Sequence, residues 1–265
     1  MSAPFPTPAP GAAPPSRSDH LPRAGRVWAV VPCAGTGSRA GSGAEPKQYR
    51  PLAGRPLVRH TLAAFAGIGR LAGGIVAVAP GDRFFDGLSA PGGVWKAVAC
   101  GGATRAESVA NALQALLACG AHADDWVLVH DAARCLITPE QIDRLLDAGM
   151  ADAVGGLLAL PLADTLKASH AGRVDETLDR AEKWLAQTPQ LFRIGMLAEA
   201  LQAAGPRVTD ESSAMEAVGL HPLLVTGSAL NFKVTWPEDF ALADAVLQQR
   251  MRSATPVHAA AQPAA

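Results

Sequence analysis

Three groups of residues in this 265-residue chain have the types and spacing to handle phosphate. The first is VWAVVPCAGTGSRAGSGAEPKQY at 27–49, where Gly35, Gly37, Gly41 and Gly43 follow a short apolar run. Glycine lets a backbone take positive φ and approach a ligand closely. A strand followed by such a loop aims several N–H groups at one point, which suits phosphate. Arg39 and Lys47 add two fixed cations to the same loop. The second group is Gly101-Gly102-Ala103-Thr104-Arg105-Ala106-Glu107-Ser108-Val109. Its paired glycines allow a flat base to lie on the backbone, and Ser108 can bond the base or ribose. Read alone, it is also an ordinary strand-to-helix loop with Ser108 in the first helical turn. The third group is His130-Asp131-Ala132-Ala133-Arg134, just past the apolar run WVLV. An Asp there is placed to hold Mg²⁺ on a triphosphate, because Mg²⁺ takes carboxylate and phosphate oxygens together. Arg134 would meet a substrate phosphate. The bland alternative is an Asp-Arg ion pair or a helix cap.

The glycine loop admits three readings. Residues 35–40 fit the dinucleotide fingerprint G-x-G-x-x-G/A. That fingerprint opens directly into a helix with an acid about 20 residues on. Here Pro46, Pro51 and Pro56 interrupt, and no Asp or Glu lies between Pro46 and Asp82. A Walker A loop needs Gly before its Lys and Ser or Thr after it, whereas Lys47 stands between Pro46 and Gln48. The third reading is a triphosphate loop of the nucleotidyltransferase kind. Its pattern is G-x-G-x-R, then P-K-Q-Y, then L-x-G-x-P-L. All parts are met, by Gly35 to Arg39, Pro46 to Tyr49 and Leu52 to Leu57. This stretch resembles the nucleotide-binding loop of the 2-C-methyl-D-erythritol 4-phosphate cytidylyltransferases, enzymes of the non-mevalonate isoprenoid pathway.

Further motifs extend the resemblance over about 26–246. Residues 101–109 are similar to G-G-x-x-R-x-x-S-V. Asp164-Thr165-Leu166-Lys167, Asp179-Arg180 and Gln187-Thr188-Pro189-Gln190 are similar to the family's D-T-x-K, D-R and T-P-Q elements. Thr209 to Ala214 matches T-D-E-x-S-A, and Asn231 to Thr235 matches N-x-K-V-T. The resemblance implies that Ala34, Gly35, Thr36, Gly37, Lys47, Gly101, Gly102, Ser108 and Ala132 bind the nucleotide. It implies that Asp131, Arg134, Thr165, Arg180, Thr188 and Lys233 contact the second substrate. Arg39, Lys47, Arg180 and Lys233 then form the catalytic set, with Asp131 orienting Mg²⁺ on CTP. Without the resemblance, Arg180 reads as a solvated hairpin residue and Lys233 as a solvated strand lysine. The chain departs from the family at Cys135, where Pro is usual, at Trp236, where Arg is usual, and in loop length near 41–44.

These groups need a scaffold, and the hydrophobic pattern supplies one. Apolar runs at 27–31, 74–79, 94–99, 126–130 and 153–160 read as strands. Helical patterns occupy 57–65, 107–117, 139–146, 193–204, 208–218 and 237–248, with late strands at 223–225 and 232–234. Thr209 or Asp210 would cap the helix within 208–218. Strands alternating with helices imply βαβ units and a Rossmann-like, mainly parallel α/β sheet flanked by helices. Ligands in such sheets sit beyond the carboxyl ends of the strands. Residues 161–192 break the rhythm, with extended pieces at 164–167 and 184–187 around a turn at 169–172. This segment reads as a protruding β-arm. A long hairpin is marginal alone, so it is expected to pack against a second copy in a homodimer. By the resemblance, Arg180 would then serve the neighbour's site.

Composition bounds the rest. Hydrophobic residues make up 49% of the chain, enough for one large domain at 26–252. A formal charge of -1 argues against nucleic-acid or membrane partners. The four cysteines form no C-x-x-C pair and fit a reducing cytoplasm. Residues 1–25 and 253–265, rich in Pro and Ala, read as disordered tails. The reaction expected is CTP plus methylerythritol phosphate giving the CDP-alcohol and pyrophosphate. Ribitol 5-phosphate or another polyol phosphate is the alternative acceptor, and a non-catalytic nucleotide-binding regulator is the alternative class.

Overall fold

The computed structural model describes residues 25–35, 45–85, 91–205 and 208–254. Both expected tails, apart from the last turn of the final helix, lie outside these residues. So do Thr36, Gly37 and Arg39.

The core is a seven-stranded sheet of β1 (Val27–Pro32), β4 (Leu71–Ala77), β5 (Trp95–Val98), β6 (Trp126–Val129), β7 (Gly155–Pro161), β10 (Trp184–Arg193) and β11 (Leu223–Thr226), while the short β2 (Pro51–Leu52) and β3 (Arg55–Pro56) pair only with each other. The spatial order is β11-β7-β10-β6-β1-β4-β5. Only β10 runs antiparallel, pairing with β6 and β7. The central parallel strands β1 and β6 are apolar on both faces because helices cover both. Trp28 and Val30 of β1 face α2 (Arg105–Ala118), α4 (Ile194–Ala204) and α5 (Glu211–Ala217). Val27 and Ala29 face α1 (Leu57–Ala66) and α3 (Pro139–Gly149). A closing helix, α6 (Pro237–Ala254), packs Ala243 and Leu247 against Leu52, Leu57 and Leu136. No helix among the described residues is long and apolar enough to cross a membrane.

β1 has β4 on one side and β6 on the other, so their following loops diverge and open a crevice at the carboxyl end of the sheet. Local sequence fixes the helix starts that border this crevice. Thr104 caps α2, its hydroxyl accepting from the Glu107 amide at 3.1 Å. Asp210, of the two candidate caps, starts α5 through a capping box with Ser213.

Two expectations are corrected. The partner of the first arm strand, β8 (Leu166–His170), is β9 (Arg173–Leu178), not 184–187. RVDETL carries too few apolar residues to read as a strand, yet it pairs across Ala171 and Gly172, both at positive φ. Trp184, Leu185 and Ala186 instead extend β7 at the root of the arm. The second correction is at 232–234, which joins no ladder. Its backbone groups are taken by other partners. The Val234 amide donates to Ala133 O at 2.9 Å, and Asp239 accepts from the amides of Thr235 and Trp236.

Candidate active site

The loops after β1, β5 and β6 enclose a cleft of about 560 Å³. Its floor is the start of the glycine loop. Gln48 is buried and its side-chain amide donates to Cys33 O at 2.9 Å and Gly35 O at 2.8 Å. That grip ties Lys47 beside the loop it follows. The Lys47 ammonium lines the cleft and donates to Val234 O at 2.7 Å, joining two segments 187 residues apart.

The wall is the loop before α2. Gly101 admits no side chain, since a Cβ there would stand 2.3 Å from that of Ala34 and 2.9 Å from Val78 O. The Gly101 backbone therefore packs directly on the Ala34 methyl and the Val78 carbonyl, which is why this position is glycine. Ser108 is buried against the cleft. Its hydroxyl accepts from the Gly102 amide at 3.0 Å and donates to Thr104 O at 2.9 Å. Its proton is thus spent on the loop, and it can meet a ligand only as an acceptor.

At the back of the cleft sits a cluster of charges. Asp131 is buried, with Oδ1 2.9 Å from Arg105 Nε, Oδ2 2.8 Å from Lys233 Nζ and 3.8 Å from Arg134 Nε. Burial would raise its pKa. The charges of Arg105, then Lys233 and Arg134, more than offset that and hold the carboxyl well below the usual range. Arg105 also clamps Glu211 in a bidentate pair at 2.7 and 3.0 Å. A second pocket of about 190 Å³ adjoins the cleft and shares Arg105, Asp131 and Lys233 with it. Arg134 and Thr188 line this second pocket, and Arg134 is steadied by a bond to Asn231 O at 2.6 Å.

His130 locks the turn that presents Asp131. The Asp131 amide donates to Thr188 Oγ1 at 3.0 Å, so the Thr188 hydroxyl proton points to His130 Nδ1 at 3.1 Å. Nε2 then carries the ring proton and donates to Arg134 O at 3.1 Å. Burial holds His130 neutral, with its pKa pushed from the ordinary 6.5 to about 4. Between those values the unfolded chain binds a proton that the folded chain refuses. Stability should therefore fall as pH drops from 6.5 to about 4, by about 3 kcal/mol from this residue. Asp131 acts in the same sense but only below the ordinary carboxylate pKa of about 3.9. Denaturant unfolding at pH 7 and pH 4.5, on the wild type and on His130→Asn, checks this. Equal pH losses in the two proteins would remove His130 as the cause.

The same geometry bears on a metal. Both Asp131 oxygens are engaged by cations, and a divalent ion bound there would meet Arg105, Arg134 and Lys233 at short range. Among the described residues no group of three His, Cys, Asp or Glu side chains could hold a metal. The Asp131 site as it stands does not fit a protein-ligated Mg²⁺.

The mostly parallel sheet with its flanking helices is shared with solved structures. The profile of the 2-C-methyl-D-erythritol 4-phosphate cytidylyltransferases matches residues 27–249. The chain belongs to this cytidylyltransferase family. It is 58% identical over 225 residues to the family enzyme of Laribacter hongkongensis, covering 84% of this chain and 96% of the relative. It is 62% identical over 234 residues to the "Bifunctional enzyme IspD/IspF" of Albidiferax ferrireducens. That match covers 88% of this chain and 55% of the relative, so the chain spans about half of the bifunctional protein. A solved structure of a 4-diphosphocytidyl-2C-methyl-D-erythritol synthase superposes with a TM-score of 0.75 at 38% identity, covering 84% of this chain and 98% of that one.

Of the residues expected in this family site, Ala34, Gly35, Lys47, Gly102, Ser108, Asp131, Ala132 and Lys233 line the cleft. Arg134 and Thr188 line the adjoining pocket, and Gly101 stands behind Ala34. Thr165 and Arg180 are exposed on the arm and line neither, Arg180 donating to Ala163 O. Two participants were not singled out from sequence. Arg105 was visible within the G-G-x-x-R motif, but nothing local pairs it with Glu211, 106 residues away. Glu211 itself reads as a first-turn helix acid, whereas it is fully buried.

Proposed function

We propose that this chain is the cytidylyltransferase joining CTP to 2-C-methyl-D-erythritol 4-phosphate, with release of pyrophosphate, in non-mevalonate isoprenoid precursor synthesis. The observation that carries the reading is the pair of pockets meeting at Lys233, Asp131 and Arg105. The larger cleft suits a nucleoside triphosphate along Ala34, Gly35 and Lys47. The smaller pocket suits a polyol phosphate beside Arg134 and Thr188. In the reaction, a phosphate oxygen of the polyol phosphate attacks the α-phosphorus of CTP. The new P–O bond forms as the bond to the pyrophosphate oxygen breaks. The attacking oxygen is already anionic, so no general base is required.

The barrier is repulsion between two polyanions and the charge gathered at the α-phosphate. Lys47 and Arg39 stabilise that charge. Lys233 and Arg180 position the attacking phosphate. A divalent metal such as Mg²⁺, if bound together with CTP, would supply further neutralisation of the phosphate charge.

Arg180 reaches a site by crossing to a second copy. The β8–β9 hairpin stands out from the sheet with Val174 and Leu178 exposed, and Leu185 is exposed at its root. A two-stranded ribbon of this kind is marginal without a partner. A homodimer through the arm supplies one and brings Arg180 to the neighbour's smaller pocket. Four free cysteines, two of them buried, suit a reducing cytoplasm.

Pyrophosphate release from CTP with a panel of acceptors tests the reading. Methylerythritol phosphate should be the preferred acceptor over ribitol 5-phosphate and glycerol 3-phosphate. Equal or faster release with ribitol 5-phosphate would assign the other polyol, and no release with any acceptor would mark a non-catalytic binder.

A further inference from the structure

We propose that Arg105, held from behind by Glu211, is a positioning residue that sets where Asp131 and Lys233 stand in the site. Lys233 lies in a segment without ladder bonds and carries its ammonium on a flexible four-carbon stem. Something must hold that ammonium at the junction of the two pockets. The Asp131 carboxylate does so through Oδ2, at 2.8 Å. A carboxylate is planar, so its orientation is set by whatever grips Oδ1. That grip is Arg105 Nε, at 2.9 Å.

Arg105 is fixed in turn by a rigid partner. Glu211 is fully buried and takes both terminal nitrogens of the guanidinium. Its helix start is pinned twice. Asp210 caps the helix, and Gln190 of β10 donates to Asp210 Oδ2 at 2.8 Å and accepts from the Ser212 amide at 2.7 Å. A continuous series of contacts therefore runs from the sheet through Glu211 and Arg105 to Asp131 and Lys233.

The charge balance has a consequence for chemistry. Were Asp131 neutralised by Lys233 alone, the ammonium would be drawn inward and its field on a phosphate weakened. Arg105 carries part of that neutralisation, which leaves Lys233 able to act on a ligand. Arg105 thus works through Asp131 and Lys233, not on the reacting atoms. This inference rests on the two-pocket nucleotidyl-transfer reading above.

The test compares Glu211→Gln and Arg105→Lys in wild-type and Lys233→Ala backgrounds. Turnover with CTP and methylerythritol phosphate, CTP affinity by calorimetry and melting temperature are measured for each. Both single variants should lower kcat by about tenfold or more while CTP affinity changes by less than about threefold. In the Lys233→Ala background the same substitutions should have little further effect. Equal fold losses in both backgrounds, or full kcat in a folded variant, overturn the proposal and leave Arg105 as a staple between α2 and α5. If a single variant fails to fold, Arg105→Met with Glu211→Leu removes the pair as a unit, and the same comparison applies.

A readout free of activity separates this inference from the proposed reaction. Labelling of Lys233 by an amine reagent, followed by mass spectrometry, should change in rate when Glu211 becomes Gln. If the wild type turns over no acceptor, the reaction is wrong, and the labelling result alone decides the inference. Unchanged labelling sinks it.

Discussion

Lys47→Ala should lower kcat by about 10²-fold or more, equivalent to roughly 3 kcal/mol of transition-state stabilisation, with a much smaller change in CTP affinity. The ammonium lines the cleft beside Gly35 and is aimed by its bond to Val234 O at 2.7 Å. Preorganisation of this kind matters most where charge grows, at the α-phosphate, because no reorganisation is needed as the reaction proceeds. Ground-state CTP would also meet Ala34, Gly35 and Gly102, which line the same cleft, so its affinity should be less exposed to the loss of one cation. Arg39→Ala should behave alike, since its motif places it in the same loop. Losing the bond to Val234 O should cost stability about 1 kcal/mol, and a melt distinguishes that from unfolding. Steady-state kinetics with calorimetric CTP titration checks the split. Near-wild-type turnover in either folded variant would strike that residue from the catalytic set.

Arg180→Ala should abolish most turnover with CTP binding almost unchanged, and the loss should be repairable by a second, differently damaged copy. Arg180 stands on the exposed arm and lines neither pocket of its own chain. If the arm crosses a two-fold axis, each site combines one chain's Lys47 with the other chain's Arg180. Mixing Arg180→Ala with Lys47→Ala then makes heterodimers with one site doubly damaged and the other intact. Activity per heterodimer should return toward half of the wild-type value. Subunit exchange is verified with differently tagged copies and native mass spectrometry. Confirmed exchange without recovered activity would show that Arg180 acts in its own chain, and a monomer in that experiment would remove the shared site altogether.

The chain's local patterns determined a good deal. Apolar runs at 27–31 and 126–130 read as buried strands, and the fold bears this out over Val27–Pro32 and Trp126–Val129, where helices cover both faces of the sheet. Ala34, Gly35, Gly102 and Asp131 were legible because each lies shortly after a strand, where chain direction places it at the ligand end, whereas Lys47, well past the end of β1 at Pro32, was visible only through its P-K-Q-Y motif. Gly101 was visible within the G-G pair as a surface for a base, whereas in the fold its lack of a side chain is required by the approach of Ala34 and Val78.

What the sequence could not show is where charges find their partners. Asp131 looked like a metal ligand, and the folded chain surrounds it with Arg105, Arg134 and Lys233, drawn from three separate segments. Lys233 looked like a solvated strand lysine, and the absence of a ladder at 232–234 is what frees it to reach Asp131. Glu211 looked like a helix-start acid, and only the packing of α5 against α2 buries it on Arg105. Apart from Asp131 and Arg134, three residues apart and open to the sequence as an ion pair, these interactions join residues far apart along the chain, so no local period or spacing records them. Electrostatic partnership is decided by tertiary approach, while strand, turn and loop are decided by the order of side chains along the backbone.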